Sequence, residues 1–170
     1  MTETRMPWIA LGMLTIAAHL GLIFYGLVPN LVSRPLHLAL ILPWVFMFGA
    51  PTRRGLIAGS SVTALGVACC LWIAVSHQAL RNQYGFLEGQ EQVVMAVFLL
   101  LVVMEGARRM IGWPLPLVAL SMLAYGLFGQ YIPGEFGHSG TPLRSFLGTL
   151  TIAEGGIWGS LTGVSVGVVS

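Results

Sequence analysis

Apolar runs about as long as a bilayer is thick alternate along this chain with short breaks rich in proline, arginine and glycine. The first run extends from Pro7 to Val28, and Pro29, Asn30, Arg34 and Pro35 interrupt it. It is long for a signal-peptide core and no small-x-small cleavage site follows, so it reads as an uncleaved first span. The second run, Leu36 to Ala50, would rise only about 22 Å as a helix. That is short of a hydrocarbon core about 30 Å thick. This span is expected to recruit Leu31 and Val32 and to kink at Pro43. Pro51, Arg53, Arg54 and Gly55 read as a tight basic turn.

Leu56 to Ser76 forms the third run, Val93 to Gly112 the fourth and Leu115 to Tyr131 the fifth. Polar connections fill 77–92 and 132–144. The last stretch, Ser145 to Ser170, is apolar on average and glycine-rich, with Glu154 inside. Three readings of it stand: a span, a re-entrant segment or an interfacial helix. The pattern predicts an all-α, polytopic membrane protein. It would be a bundle of about five transmembrane helices plus a glycine-rich C-terminal helical or re-entrant segment.

Composition sharpens that picture. Of 170 residues, 56% are hydrophobic and 8% charged, against about 25% charged in a soluble domain. The charges are Arg and Glu alone, with no Lys or Asp. Such a chain could not cover a water-facing surface. An ordinary soluble enzyme, a nucleic-acid binder and a disordered tail are therefore excluded. The net charge of +2 is too small to imply an anionic partner. Cys69 and Cys70 are adjacent in an apolar run and read as reduced packing residues.

Arginine placement sets an orientation. With the N-terminus cytoplasmic, Arg5, Arg53, Arg54, Arg108 and Arg109 lie inside, and Arg34, Arg81 and Arg144 outside. Both arginine pairs fall on the inner side, and the 77–92 connection falls outside. Trp8, Trp44 and Trp113 lie near span ends, as interfacial residues do.

Three groups of residues could carry more than anchoring. Glu105, Arg108 and Arg109 have the spacings that bring both guanidinium groups to one carboxylate on a helix. They read as a headgroup anchor with snorkelling arginines, as an inter-subunit polar contact, or as part of a transport path. Glu154 reads as an interface residue or as a buried polar contact beside a transport path. Gly155, Gly159, Gly163 and Gly167 recur every four residues. On one helix they would form a GxxxG face for close backbone approach; the alternative is simple backbone flexibility. His19, His37, His77 and His138 share no helical turn, so no metal-ligand spacing appears. His19 reads as a hydrogen-bonded packing residue. No catalytic motif and no cofactor motif is present.

The stretch from Val103 to Leu120, reading Val-Met-Glu-Gly-Ala-Arg-Arg-Met-Ile-Gly-Trp-Pro-Leu-Pro-Leu-Val-Ala-Leu, resembles a known family. So do Ala124-Tyr-Gly-Leu-Phe-Gly-Gln-Tyr-Ile-Pro-Gly and Leu150-Thr-Ile-Ala-Glu-Gly-Gly-Ile-Trp-Gly-Ser-Leu-Thr-Gly-Val-Ser. Together they look like the fused membrane component of tripartite ATP-independent periplasmic (TRAP) transporters, of the TAXI type. The likeness runs from about Gly89 to Ser165, with weaker echoes at His37-Leu-Ala-Leu and Arg53-Arg54.

The resemblance implies ion-gradient-driven import of small organic acids across the bacterial inner membrane. A periplasmic receptor would deliver substrate to a large elevator module, and a small module would act as scaffold. Residues 1–112 look like the four-span small module, and residues 113–170 like the linker and opening of the large one. The family's substrate and ion sites lie beyond the point where this chain ends, so no such residue is carried over. A split or truncated product, a scaffold completed by a large subunit in trans, and a relic without transport are the expectations that follow. The alternative is a small self-associating membrane protein with no transport role.

Overall fold

The computed structural model describes residues 6–24, 28–48, 50, 52–153, 155–159 and 162–164. The fold is all-α, with no strand among the described residues. The helices are α1 (Met6–Phe24), α2 (Asn30–Phe46), α3 (Arg53–Val75), α4 (His77–Asn82), α5 (Gln90–Ile111), α6 (Pro114–Phe128) and α7 (Leu143–Thr151). A 3-10 turn, Gly129–Tyr131, closes α6.

The apolar runs are helical, but several helix starts differ from expectation. Helix α2 begins at Asn30, so Arg34 and Pro35 belong to it and not to a connection. Pro35 and Pro43 both lie inside it. Each removes one backbone donor. Helix α3 starts at Arg53, so Arg53 and Arg54 form its first turn and are not part of a separate tight turn. Thr52 is the reason: its side-chain oxygen accepts a hydrogen bond from the Gly55 amide at 3.0 Å, satisfying a donor the helix start leaves unpaired. The 77–92 connection contains the short helix α4.

Helices α2 and α3 form the most extensive pair. Two small residues permit it. A side chain at Gly59 would overlap the Phe46 carbonyl, and one at Gly66 would overlap Leu42. The core joins Leu31 and Ala39 of α2, Cys70 and Ile73 of α3, Ala96 and Leu99 of α5, and Ile152 and Trp158 beyond α7. Gly112 ends α5 with φ 97° and ψ −170°, a conformation essentially restricted to glycine. The chain therefore turns sharply between α5 and α6, and Pro114 opens α6 with its φ already set for a helix.

Large apolar side chains face outward on α1 (Ile9, Met13, Leu14, Ile16, Leu20, Phe24) and on α6 (Leu115, Leu117, Val118, Leu120, Met122, Phe128). Among the described residues, α3 is the one helix long and apolar enough by itself to cross a membrane. The stretches Trp8–Gly21 and Asn30–Phe46 are shorter apolar helices.

Candidate functional site

The expected cluster at the end of α5 is assembled. Arg108 forms a two-pronged contact with Glu105, Nε to Oε2 at 2.6 Å and Nη2 to Oε1 at 2.7 Å. Arg109 Nε donates to Glu105 Oε1 at 2.8 Å. One carboxylate thus holds two guanidinium groups, as the i+3 and i+4 spacings require. Each arginine also meets an aromatic ring: Arg108 lies 5.4 Å from the Trp113 centroid and Arg109 4.8 Å from that of Phe46. Arg109 further reaches the Phe46 carbonyl at 3.4 Å.

These contacts gather one end of the bundle. Phe46 ends α2, Gly59 of α3 lies against its carbonyl, and Arg53 and Arg54 precede Gly59 by less than two turns. Trp8, Trp44 and Phe48 meet there in tilted and edge-to-face contacts, with centroids 5.2 to 5.5 Å apart. The opposite end of α5 carries a second junction. Arg144 Nη1 donates to the Glu88 carbonyl at 2.6 Å, and the Leu87 amide donates back to the Arg144 carbonyl at 3.4 Å. Gly148 lies against the Gly85 carbonyl, so α7 is docked onto the α4–α5 turn.

The glycine-rich segment departs from the expected helical ladder. Helix α7 ends at Thr151, and residues 155–158 form turns. Ile157 N donates to Leu150 O at 2.8 Å and Gly159 N to Gly156 O at 2.9 Å, which folds the backbone on itself. A side chain at Gly155 would meet nothing within 4 Å, while one at Gly159 would overlap the Gly155 carbonyl. Gly155 and Gly159 therefore do not share one helical face. Gly163 packs on the Arg34 guanidinium. Glu154 and Gly167 lie outside the described residues.

Arg34 was expected as an outer-side charge and does more. It donates to the Trp158 carbonyl and, at 3.2 Å, to the Gly159 carbonyl. Trp158 is fully buried, and its indole N–H donates to the Thr151 carbonyl at 2.6 Å. The turn is thus fastened to α2 by a cation and to α7 by a ring.

Comparison with protein-family models, with curated proteins and with solved structures returned no match. The geometry and the sequence motifs therefore carry the functional reading.

Sequence reasoning missed one pair. His19 of α1 and His37 of α2 are both buried, and His19 Nε2 lies 2.6 Å from His37 Nδ1. Their rings meet edge to face at 4.9 Å. A search confined to one helical turn could not find them. Reflection could: both lie nine positions from residue 28 in an antiparallel hairpin. Among the described residues, no group of three or more His, Cys, Asp or Glu side chains is gathered to hold a metal ion.

Outside the apolar helices, His138 donates from both ring nitrogens, to Ser139 O at 2.8 Å and Tyr125 O at 3.0 Å. Both partners are carbonyls, so the doubly protonated ring fits best. The pKa of His138 is raised above the usual imidazole value by these two bonds, first Ser139 and then Tyr125.

Proposed function

We propose that this chain is a membrane scaffold module of a TRAP-type secondary transporter of the TAXI kind, serving uptake of small organic acids. The observation that carries the reading is the succession of three motif segments, 103–120, 124–134 and 150–165, in the family's order.

The arrangement of charge and rings supports a multi-spanning scaffold. Arg53, Arg54, Arg108 and Arg109 gather at the end that also holds Trp8, Trp44 and Trp113. That composition suits a cytoplasmic membrane interface. The outward apolar faces of α1 and α6 suit lipid or a partner helix, since water would penalise them. In this reading Glu105, Arg108 and Arg109 brace the inner helix end, and the Arg34–Trp158 turn presents the junction toward the transport module. The partners are the large TRAP membrane subunit and a periplasmic substrate-binding receptor. The location is the bacterial inner membrane, with the N-terminus cytoplasmic.

Co-purification of the tagged chain with a large TRAP subunit, followed by receptor-dependent uptake in proteoliposomes, tests this reading. A stable complex that imports an organic acid only with receptor is the expected result. Failure to bind a large subunit, together with a homo-oligomer of the chain alone, would replace it with the self-associating alternative. A reporter at Gly89 that reads as cytoplasmic would overturn the orientation.

A further inference from the structure

The His19–His37 pair belongs to none of the motifs above. Its hydrogen bonds define its protonation. His19 Nδ1 lies 2.7 Å from the Thr15 carbonyl, which can only accept, so that nitrogen carries hydrogen. In a neutral His19 the other nitrogen, Nε2, then holds a lone pair. It faces His37 Nδ1 at 2.6 Å, so His37 Nδ1 supplies the hydrogen between the rings. His37 Nε2 is left with a lone pair. If a proton binds there, the inter-ring hydrogen can pass from His37 Nδ1 to His19 Nε2. The positive charge moves from one ring to the other with no other atom displaced. A second added proton would set N–H against N–H across the same gap, and the rings would have to part.

Two open grooves border the pair at His37. One, of about 420 Å³, is lined by Thr15, Ile16, His19, Leu20, His37 and Ile41. The other, of about 410 Å³, is bounded by His37, Ile41 of α2, Val103 of α5, and Trp158 and Thr162 of the C-terminal segment. His37 and Ile41 are common to both, and His37 is the one polar side chain they share. Among the described residues, the histidines are the only titratable side chains in either lining, and neither lining holds a charged one. The nearest cation along α2, Arg34, is directed to the Trp158 and Gly159 carbonyls, and Glu105 of α5 is held by Arg108 and Arg109. Ionisable side chains inside membrane-spanning helices are costly, pair with one another or with backbone carbonyls, and mark functional sites.

The geometry points to a one-proton site: His19 and His37 together bind a single exchangeable proton between α1 and α2, reachable from both grooves, and a second proton separates the helices. The inference rests on the α1–α2 geometry and does not depend on the transporter assignment.

The test is ¹⁵N-histidine NMR of the full chain in lipid nanodiscs, with His19→Gln and His37→Gln variants to assign the resonances. Between about pH 8 and about pH 5, two independent imidazoles would take up two protons. The expected result is uptake of one, with both rings responding together. At still lower pH the Thr15–Leu20 amides should lose hydrogen-exchange protection. In the double Gln variant, which has no charge to gain, protection should not change with pH. Uptake of two protons with α1 protection retained, or of none across the range, overturns the proposal. The wild-type titration decides the matter even where a variant fails to fold.

Discussion

Gly59 and the Phe46 carbonyl lie closer together than any side chain at position 59 would allow. That contact sets the distance between α2 and α3, the most extensive helix pair in the fold. Replacing Gly59 with Ala forces backbone apart, and overpacking of this kind costs about 1–3 kcal/mol. A methyl group added at Gly21 on α1 would meet nothing within 4 Å beyond its own helix backbone. Gly21→Ala should therefore be neutral or stabilise by up to about 1 kcal/mol through helix propensity. Unfolding of both variants in detergent, followed by circular dichroism, checks the contrast.

Glu105 holds two arginines, but all three side chains are about one-third exposed. Solvent screens such a cluster, so Glu105→Gln should cost only about 0.5–1 kcal/mol. The loss should shrink in high salt. Substrate choice of an assembled transporter should not change. A shifted substrate profile in the uptake assay would place Glu105 in the transport path and out of the bracing role.

Position 159 is closed to side chains, whereas position 155 is open. Gly159→Leu should break the turn that Arg34 clasps and expose the buried Trp158, while Gly155→Ala should be tolerated. Tryptophan emission read against a Trp158→Phe control measures this, with a red shift expected for Gly159→Leu alone. Complex formation with a large subunit should weaken in the same variant.

His138 can make its bonds to the Ser139 and Tyr125 carbonyls together only with both ring nitrogens protonated. Its pKa is raised in the folded protein. The stabilisation is therefore fully present below the ordinary imidazole pKa and is lost as pH rises through the higher folded value. Hydrogen exchange of residues 132–141, corrected for intrinsic rates, should show stronger protection on the acid side. His138→Phe should remove that pH dependence.

The apolar runs made every long helix legible, because burial or lipid contact of a helix needs a continuous apolar stretch. Helix starts were less legible. Arg34 and Pro35 look like a break, yet a long arginine can reach carbonyls of a distant turn while its stem stays on the helix. The Glu105 cluster was readable because its partners are three and four residues apart. The His19–His37 pair was not, since it depends on how two helices fold back on each other. The glycine repeat suggested one helical face, but glycine also admits turns, and the bond from Ile157 to the Leu150 carbonyl selected them.

Gly112 has one more consequence. At φ 97° and ψ −170° it needs the absence of a Cβ atom, so every single-residue replacement strains the same hinge. The heading that α6 takes away from α5 is thus encoded by one missing methyl group, and drift at this position has no neutral neighbour. Any side chain at 112 would therefore strain the point from which α6 and all that follows it take their direction.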